Sequence, residues 1–385
     1  MPNPNAIVST TIRFDPPLGD RAPDEALRAE GGLTLELDEG RRVPLDPEDR
    51  RSVGFVTVLD ELSRRRRPVY VEIDPESGAI SRLLIPAVVR VVDVSRRAED
   101  TLDVELQPSH ARHVLRLGGE DSEALERQLR DALESKLPVL VVEDLRGGII
   151  DVRAFIPDPE GPLPPFPEPG GPRFPPLPEP EPWWWRWILW PFRKLWWWFW
   201  FPWRWLKCPG PAKAQQIFDA TAAASCNPLT VPPPCIPFLY PDDGCWARAN
   251  EMCRLMQAMG YSPRKVWINA SAPPLLHVDT PNHPDCFVEW YWHVAPILCV
   301  RGPKLFSTQM MVIDPSLFTS PVSQAAWKAK QSDPAATLTE TDASQFWPSG
   351  GTDPTYSETN AYLADYRLLL LNRSIQEGPP PYPCP

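Results

Sequence analysis

The sequence predicts a protein of mixed α/β (α+β) class. A small β-rich domain is joined by a Pro/Trp-rich linker to a second, cysteine-bearing α/β domain. Three observations carry this expectation. Residues 1–156 hold no Cys or Trp and contain several runs rich in β-branched residues. Residues 157–207 are dominated first by proline and then by tryptophan. Residues 208–385 hold all eight cysteines, with a helical stripe followed by aromatic, β-branched runs. A length of 385 residues suits two or three domains, at roughly 100–200 residues each.

Within 1–156, Val53–Leu59, Pro68–Ile73 and Leu83–Val94 read as strands, because apolar β-branched residues dominate each of them. Glu76-Ser77-Gly78 supplies a turn between two of them. Ser122–Leu133 is an amphipathic helix: Ala124, Leu125, Leu129, Ala132 and Leu133 share a face, and Ser122 is placed to cap it. No catalytic constellation is visible in this region. The run Arg64–Arg67 precedes Pro68. Because the region holds 30 acidic against 22 basic residues, the run reads as a solvated turn rather than a phosphate-binding patch.

Thirteen of the 26 residues in 157–182 are proline, which removes amide donors and favours an extended, semi-rigid spacer. Residues 183–207 hold 11 of the 17 tryptophans, and their five charges (Arg186, Arg193, Lys194, Arg204, Lys207) are all positive. Arg193 and Lys194 would each cost roughly 2.5–3.5 kcal/mol at a bilayer centre. Pro191 and Pro202 interrupt a continuous helix. Tryptophan favours the headgroup region and cations favour anionic lipid, so 183–207 is expected to lie on an anionic membrane surface. The alternative is an aromatic plug folded against the neighbouring domains.

The net charge of −11 argues against nucleic acid as a partner, since phosphate neutralisation supplies most of that affinity. There is no Walker A, HExxH or CxxC pattern, so no P-loop NTPase, zincin or zinc ribbon is expected, and no cofactor. The N-terminus has no basic region followed by an apolar one, so no standard signal peptide is expected. Eight clustered cysteines raise the prospect of disulfides, which form in oxidising compartments.

Three stretches of the third region bear chemistry. Pro241-Asp242-Asp243-Gly244 is a turn and helix-start signal, and the stripe from Ala249 to Met259 follows it. Cys245 is therefore expected in the first turn of a helix, where unpaired N–H groups and the dipole favour a thiolate and can stabilise an oxyanion. Phe287–Val300 reads as one long strand bearing His293, a candidate general base for a thiol nucleophile. Met310–Asp314 reads as a short buried strand, ending at a carboxylate able to accept the second ring N–H of a histidine. Each residue has a plainer reading: a packed cysteine, a satisfied core histidine, an aspartate opening a turn. Together, in this order, they form a candidate triad.

These residues resemble the bacterial protein-glutaminases, which deamidate glutamine side chains within proteins. The resemblance lies in Cys235-Ile-Pro-Phe-Leu-Tyr-Pro-Asp-Asp-Gly-Cys-Trp-Ala-Arg-Ala249, Trp290-Tyr-Trp-His-Val-Ala295 and Ile313-Asp-Pro-Ser-Leu-Phe318, and covers about residues 225–330. It implies Cys245 as nucleophile, His293 as base and Asp314 as orienting acid. It also implies a fold like the transglutaminase and papain-like cysteine enzymes, a bridge between Cys226 and Cys235, and protein partners with exposed glutamine. Trp246, Trp290 and Trp292 are candidates to line a slot for the glutamine methylenes, with core packing the plainer role for two of them. Arg248 is expected to hold nearby loops through a carboxylate.

Four other readings stay open at this point. A transglutaminase would use the same triad but pass the acyl group to an amine. Residues 1–156 and the Trp-rich segment 183–207 would deliver a deamidating effector or toxin to a host or competitor protein. Residues 1–156 would act as an inhibitory cover. A tethered interaction protein with a decayed triad would have no activity.

Overall fold

In the computed structural model, residues 6–155 and 205–385 are described, apart from 11, 30, 31, 206, 228, 232, 233 and 272–274. The proline linker 157–182, and 183–207 except for Trp205 and Lys207, lie outside the described residues. The described chain is a mixed α/β structure with seven α-helices and forms two compact units. One draws on Met1–Phe166, Pro281–Phe287 and Asp365–Pro385; the other draws on Pro167–Thr280 and Val288–Ala364.

The first unit contains three antiparallel sheets. One joins β2 (Arg13–Asp15), β3 (Leu33–Glu36) and β4 (Arg42–Leu45). The second orders β1 (Ala6–Ser9), β5 (Val69–Ile73) and β6 (Ile80–Leu84). The third runs β11 (Ile149–Ala154), β10 (Val139–Glu143), β7 (Ala87–Ala98), β8 (Thr101–Gln107), β9 (His113–Arg116). Its helices are α1 (Pro23–Leu27), α2 (Ser52–Arg64) and α3 (Ser122–Ser135). Asp121, rather than Ser122, occupies the N-cap of α3, and Ser122 Oγ donates to Gly119 O.

Two readings of the N-terminal region need correction. The run Val53–Leu59 lies in helix α2, not in a strand. Phe55, Val56, Leu59 and Leu62 follow helical spacing and are buried together, so packing outweighs the β-branched preference. The run Leu83–Val94 divides between β6 and β7 around Ile85-Pro86. Arg64–Arg67 is largely neutralised: Arg64 meets Asp60, Arg65 meets Glu61, and Arg65 and Arg67 converge on Asp365.

The second unit centres on an antiparallel sheet ordered β17 (Val322–Ser323), β16 (Thr308–Val312), β15 (Trp292–Arg301), β12 (Arg264–Asn269), β18 (Thr337–Asp342). A two-stranded ladder, β13 (Leu276–Asp279) with β14 (Phe287–Trp290), and a hairpin, β19 (Gln345–Trp347) with β20 (Gly350–Thr352), complete its strands. Its helices are α4 (Pro211–Ala222), α5 (Cys245–Ala258) and α6 (Gln324–Lys330); α7 (Ser357–Glu377) begins in this unit and ends in the first.

Alternation along β15 separates two environments. Ala295 and Ile297 join a core with Val266, Ile268, Val312 and Trp327. On the other face Trp292 meets Trp267 and, from α5, Trp246. Trp246 also meets Trp347 and Tyr362, so α5 is fixed by a buried aromatic block. Disulfides join Cys208 to Cys299 and Cys226 to Cys235 in this unit, and Cys286 to Cys384 in the first. Cys245 and Cys253 form no disulfide.

Candidate active site

Gly244 adopts φ 81°, the left-handed conformation that glycine enters at least cost, and the chain turns there into α5 with Cys245 as its first residue. The first intrahelical bond runs from Arg248 N to Gly244 O, so the amides of residues 245–247 precede the helical ladder. Arg248 is buried and donates through Nη1 to the carbonyls of Tyr240 and Asp243. It therefore holds the turn by main-chain oxygens, where a carboxylate partner was expected.

The long strand expected over Phe287–Val300 is interrupted at Tyr291, between β14 and β15. His293 is the second residue of β15 and pairs across the ladder with Ile268. Ile297 pairs with Val312, and the Ile313 amide donates to Pro296 O. Continuing that register places Asp314 opposite Ala295, diagonal to His293 on the same face. The side chains meet: His293 Nε2 and Asp314 Oδ2 are 3.0 Å apart. Trp327 Nε1 donates to the same carboxylate oxygen at 2.9 Å, and the Ser316 amide donates to Oδ1 at 3.2 Å.

A ring nitrogen of His293 lies within 4.8 Å of Cys245 Sγ, and the Val294 amide donates to that sulfur. The structure thus brings Cys245, His293 and Asp314 together. Trp290 stacks on the imidazole with centroids 4.5 Å apart and planes 18° apart, and its Nε1 donates to Asp242 O at 3.0 Å. Trp246, Trp290 and Trp292 are all buried. Trp290 lies on the histidine, while Trp246 and Trp292 belong to the aromatic block beneath α5.

The electrostatics differ from the expected low-pKa thiolate. Cys245, His293 and Asp314 are each only 1% exposed. Burial pushes the Cys245 thiol well above its ordinary value; the Arg248 charge and the Val294 amide oppose this without prevailing. Burial likewise lowers the His293 pKa against the pull of Asp314. Burial alone would raise Asp314, but the bonds from His293 and Trp327 and the Arg248 charge hold it below its ordinary value. The closed site is therefore a neutral thiol and a neutral imidazole beside an ionised carboxylate. The helix start does not offset the loss of water around the sulfur.

Sequence reasoning missed two supports. Trp327 gives no signal in the sequence beyond being a lone aromatic on a short helix. Lys265 is fully buried on β12, and its Nζ donates to Asn250 Oδ1 at 2.8 Å and Gln345 O at 2.6 Å. Asn250 Nδ2 donates in turn to Thr359 Oγ1, whose hydroxyl donates to Asp353. This buried chain fastens α5 five residues beyond Cys245. Burial pushes the Lys265 ammonium down to about 8.

The sequence profile of a family described as Glutaminase matches residues 214–331, the stretch that contains the three site residues. Among solved structures, a crystal structure of protein-glutaminase is 30% identical, covers 42% of this chain and 89% of its own, with a TM-score of 0.37. A solution structure of protein-glutaminase from Chryseobacterium proteolyticum is 29% identical over 42% of this chain and 89% of its own (TM-score 0.38). A crystal structure of pro-protein-glutaminase is 20% identical, covers 74% of this chain and 94% of its own, and has a TM-score of 0.47. No curated protein matches the chain.

Proposed function

From the chain's membership of the protein-glutaminase family, we propose that it hydrolyses the side-chain amide of protein-bound glutamine to glutamate, releasing ammonia, with Cys245 as nucleophile. The observation that carries the residue assignment is the convergence of three groups. Cys245 stands at a helix start, its sulfur lies within 4.8 Å of an imidazole nitrogen, and that imidazole's Nε2 meets Asp314.

The steps follow from that placement. With Nε2 directed to the carboxylate, Nδ1 takes the Cys245 proton as the sulfur attacks the amide carbon. The amide oxygen becomes an oxyanion, which we assign to backbone amides at the start of α5 for stabilisation. The C–N bond then breaks as the imidazolium gives its proton to the departing nitrogen, leaving a thioester and ammonia. The imidazole next takes a proton from water as the water attacks the thioester, and the thiol is restored with release of glutamate. Asp314 keeps the imidazole in the required tautomer and stabilises its cationic form. The buried sulfur must become accessible for a glutamine to reach it, so the described state is a closed one.

We read the second unit as a transglutaminase- and papain-like arrangement: a helix presents the thiol against an antiparallel sheet, β15 supplies the histidine, and the segment just past the end of β16 supplies the carboxylate. Trp290 serves as a platform for the imidazole, and Trp246 and Trp292 as the rigid backing of α5. The partners are proteins with exposed glutamine. Residues 183–207 are read, from their composition, as a contact with an anionic membrane surface. Hydrolysis is assigned to the region 208–385, whose last helical turns complete the core of the first unit, with 157–182 as a spacer.

The test is ammonia release from a glutamine-containing protein, with mass spectrometry of the product. Glutamate formation that vanishes in Cys245→Ala is expected; undiminished release from that variant would refute the assignment.

A further inference from the structure

The β15–β16 hairpin ends in a loop that presents apolar side chains to solvent. Leu305 is 79% exposed and Phe306 42%; among the described residues they are the only adjacent pair of large exposed hydrophobics. The loop is well organised. Gly302 N donates to Ser307 O, Ser307 N donates to Lys304 O, and the Ser307 hydroxyl accepts from Lys304 N while donating to Lys304 O. Phe306 sits at φ 59°, a conformation that an aromatic residue rarely adopts. A loop tied down in this way, with its apolar side chains outward, is unlike a polar surface turn.

The tip is joined to the end of the tryptophan-rich stretch. The Cys208–Cys299 disulfide fastens that end to β15, and the Arg301 amide donates to Pro209 O. Trp205 packs edge-on against Phe306 with centroids 5.5 Å apart, and the Arg301 guanidinium lies 4.9 Å from the Trp205 ring. The charge of the adjoining sequence has one sign. Between residues 183 and 213 there are six basic and no acidic residues, and between 290 and 313 two basic and no acidic, in a chain of net charge −11. Lys207 and Lys304 are exposed, two residues from Trp205 and one from Leu305 along the chain.

We propose that Leu305, Phe306 and Trp205, flanked by Lys207, Arg301 and Lys304, form a docking surface for an anionic lipid bilayer. The apolar tip enters the headgroup boundary and the cations meet lipid phosphates. An aromatic–aliphatic tip ringed by cations fits an interface that is apolar beneath and anionic above. This goes beyond the reading of 183–207, because it assigns membrane contact to an ordered hairpin with its own residues.

The experiment is co-sedimentation of the full chain with large unilamellar vesicles of phosphatidylcholine alone or with 30% phosphatidylserine. Three proteins are compared: wild type, Leu305→Ser/Phe306→Ser, and Lys304→Glu. Binding to the phosphatidylserine vesicles is expected, falling at least tenfold in the double variant and severalfold in Lys304→Glu. Ammonia release from a soluble protein substrate should be unchanged, which also reports that the variants are folded. Wild-type binding that both variants retain in full would overturn the hairpin surface and leave 183–207 as the contact. No binding by wild type would overturn both. Equal binding to the two vesicle types would overturn the electrostatic part, and with it the anionic-surface assignment.

Discussion

The indole of Trp327 donates to the Asp314 oxygen that also meets His293, at 2.9 Å from one side and 3.0 Å from the other. One carboxylate oxygen is thereby fixed between two ring nitrogens in a water-poor site. A hydrogen bond to a charged group contributes about 1.5–3 kcal/mol. Trp327→Phe keeps an aromatic ring but removes the donor, so kcat for glutamine deamidation should fall about tenfold, with KM little changed. Asp314→Asn should fall much further, by about 10³–10⁴-fold, because the imidazole loses its orienting charge and tautomer. Steady-state ammonia kinetics check both; a Trp327→Phe enzyme with wild-type kcat would remove the indole from the carboxylate's support.

Stability should decline on acidification, for a reason that can be signed. The folded pKa values of His293 and Asp314 both lie below their ordinary values. The unfolded chain therefore binds more protons than the folded one, first below the free imidazole value of about 6.5 and then below the free carboxyl value of about 3.9. The contribution of His293 is complete above pH 6.5 and declines below it. That of Asp314 is complete above its unfolded value and is lost as pH falls through its folded one. Calorimetry from pH 8 to pH 4 should show a falling Tm, and His293→Phe should flatten the part between pH 6.5 and pH 5. A Tm that rises over that interval would contradict a buried, neutral histidine.

The thiol should be slow to react while the site is closed. Burial raises the Cys245 pKa and limits access, and both retard alkylation, which proceeds through the thiolate. At pH 7.5, iodoacetamide should modify Cys245 at least tenfold more slowly than free cysteine, and low urea should speed the reaction before the main unfolding transition. Cys253, also fully buried and raised to about 11, should likewise resist modification. Peptide mapping distinguishes the two; Cys245 labelling at the rate of free cysteine would place an open site in solution.

Asn250 links Lys265 to Thr359 beneath α5. Asn250→Ala would leave the buried ammonium with one protein acceptor fewer and Thr359 without that donor. Loss of a partner in a buried charged network costs about 3–5 kcal/mol at the upper end. Urea denaturation should reveal a loss of about 2 kcal/mol, within the ~1–3 kcal/mol cost of an unsatisfied buried group. A stability change within about 0.5 kcal/mol, the usual range for surface substitutions, would count against the network.

The helix carrying Cys245 was legible because Pro241–Gly244 is strong local punctuation, and the strands carrying His293 and Met310–Val312 because their aromatic and β-branched content is dense. What escaped the sequence was non-local. Val53–Leu59 looked like a strand because its residue types favour one, whereas tertiary packing selected the helical stripe through Leu62. Burial of Cys245 depends on what surrounds the helix start, which spacing along the chain does not reveal. Lys265 follows Arg264 at the head of an apolar run and reads as exposed, and only the register of β12 carries it to Asn250 of α5.

The first unit is discontinuous along the chain. Leu368, Leu371 and Ile375 of α7 belong to the same core as Phe55 and Leu59 of α2, and a Cβ at Gly54 would come within 2.5 Å of Ile375. Asn372 Nδ2 and Gln376 Nε2 both donate to Leu83 O. A protease cut within 157–204 would accordingly yield two polypeptides that still share a core. They should co-elute in native buffer and part only in denaturant, and a recombinant 208–385 piece on its own would be left with an apolar helical flank in water.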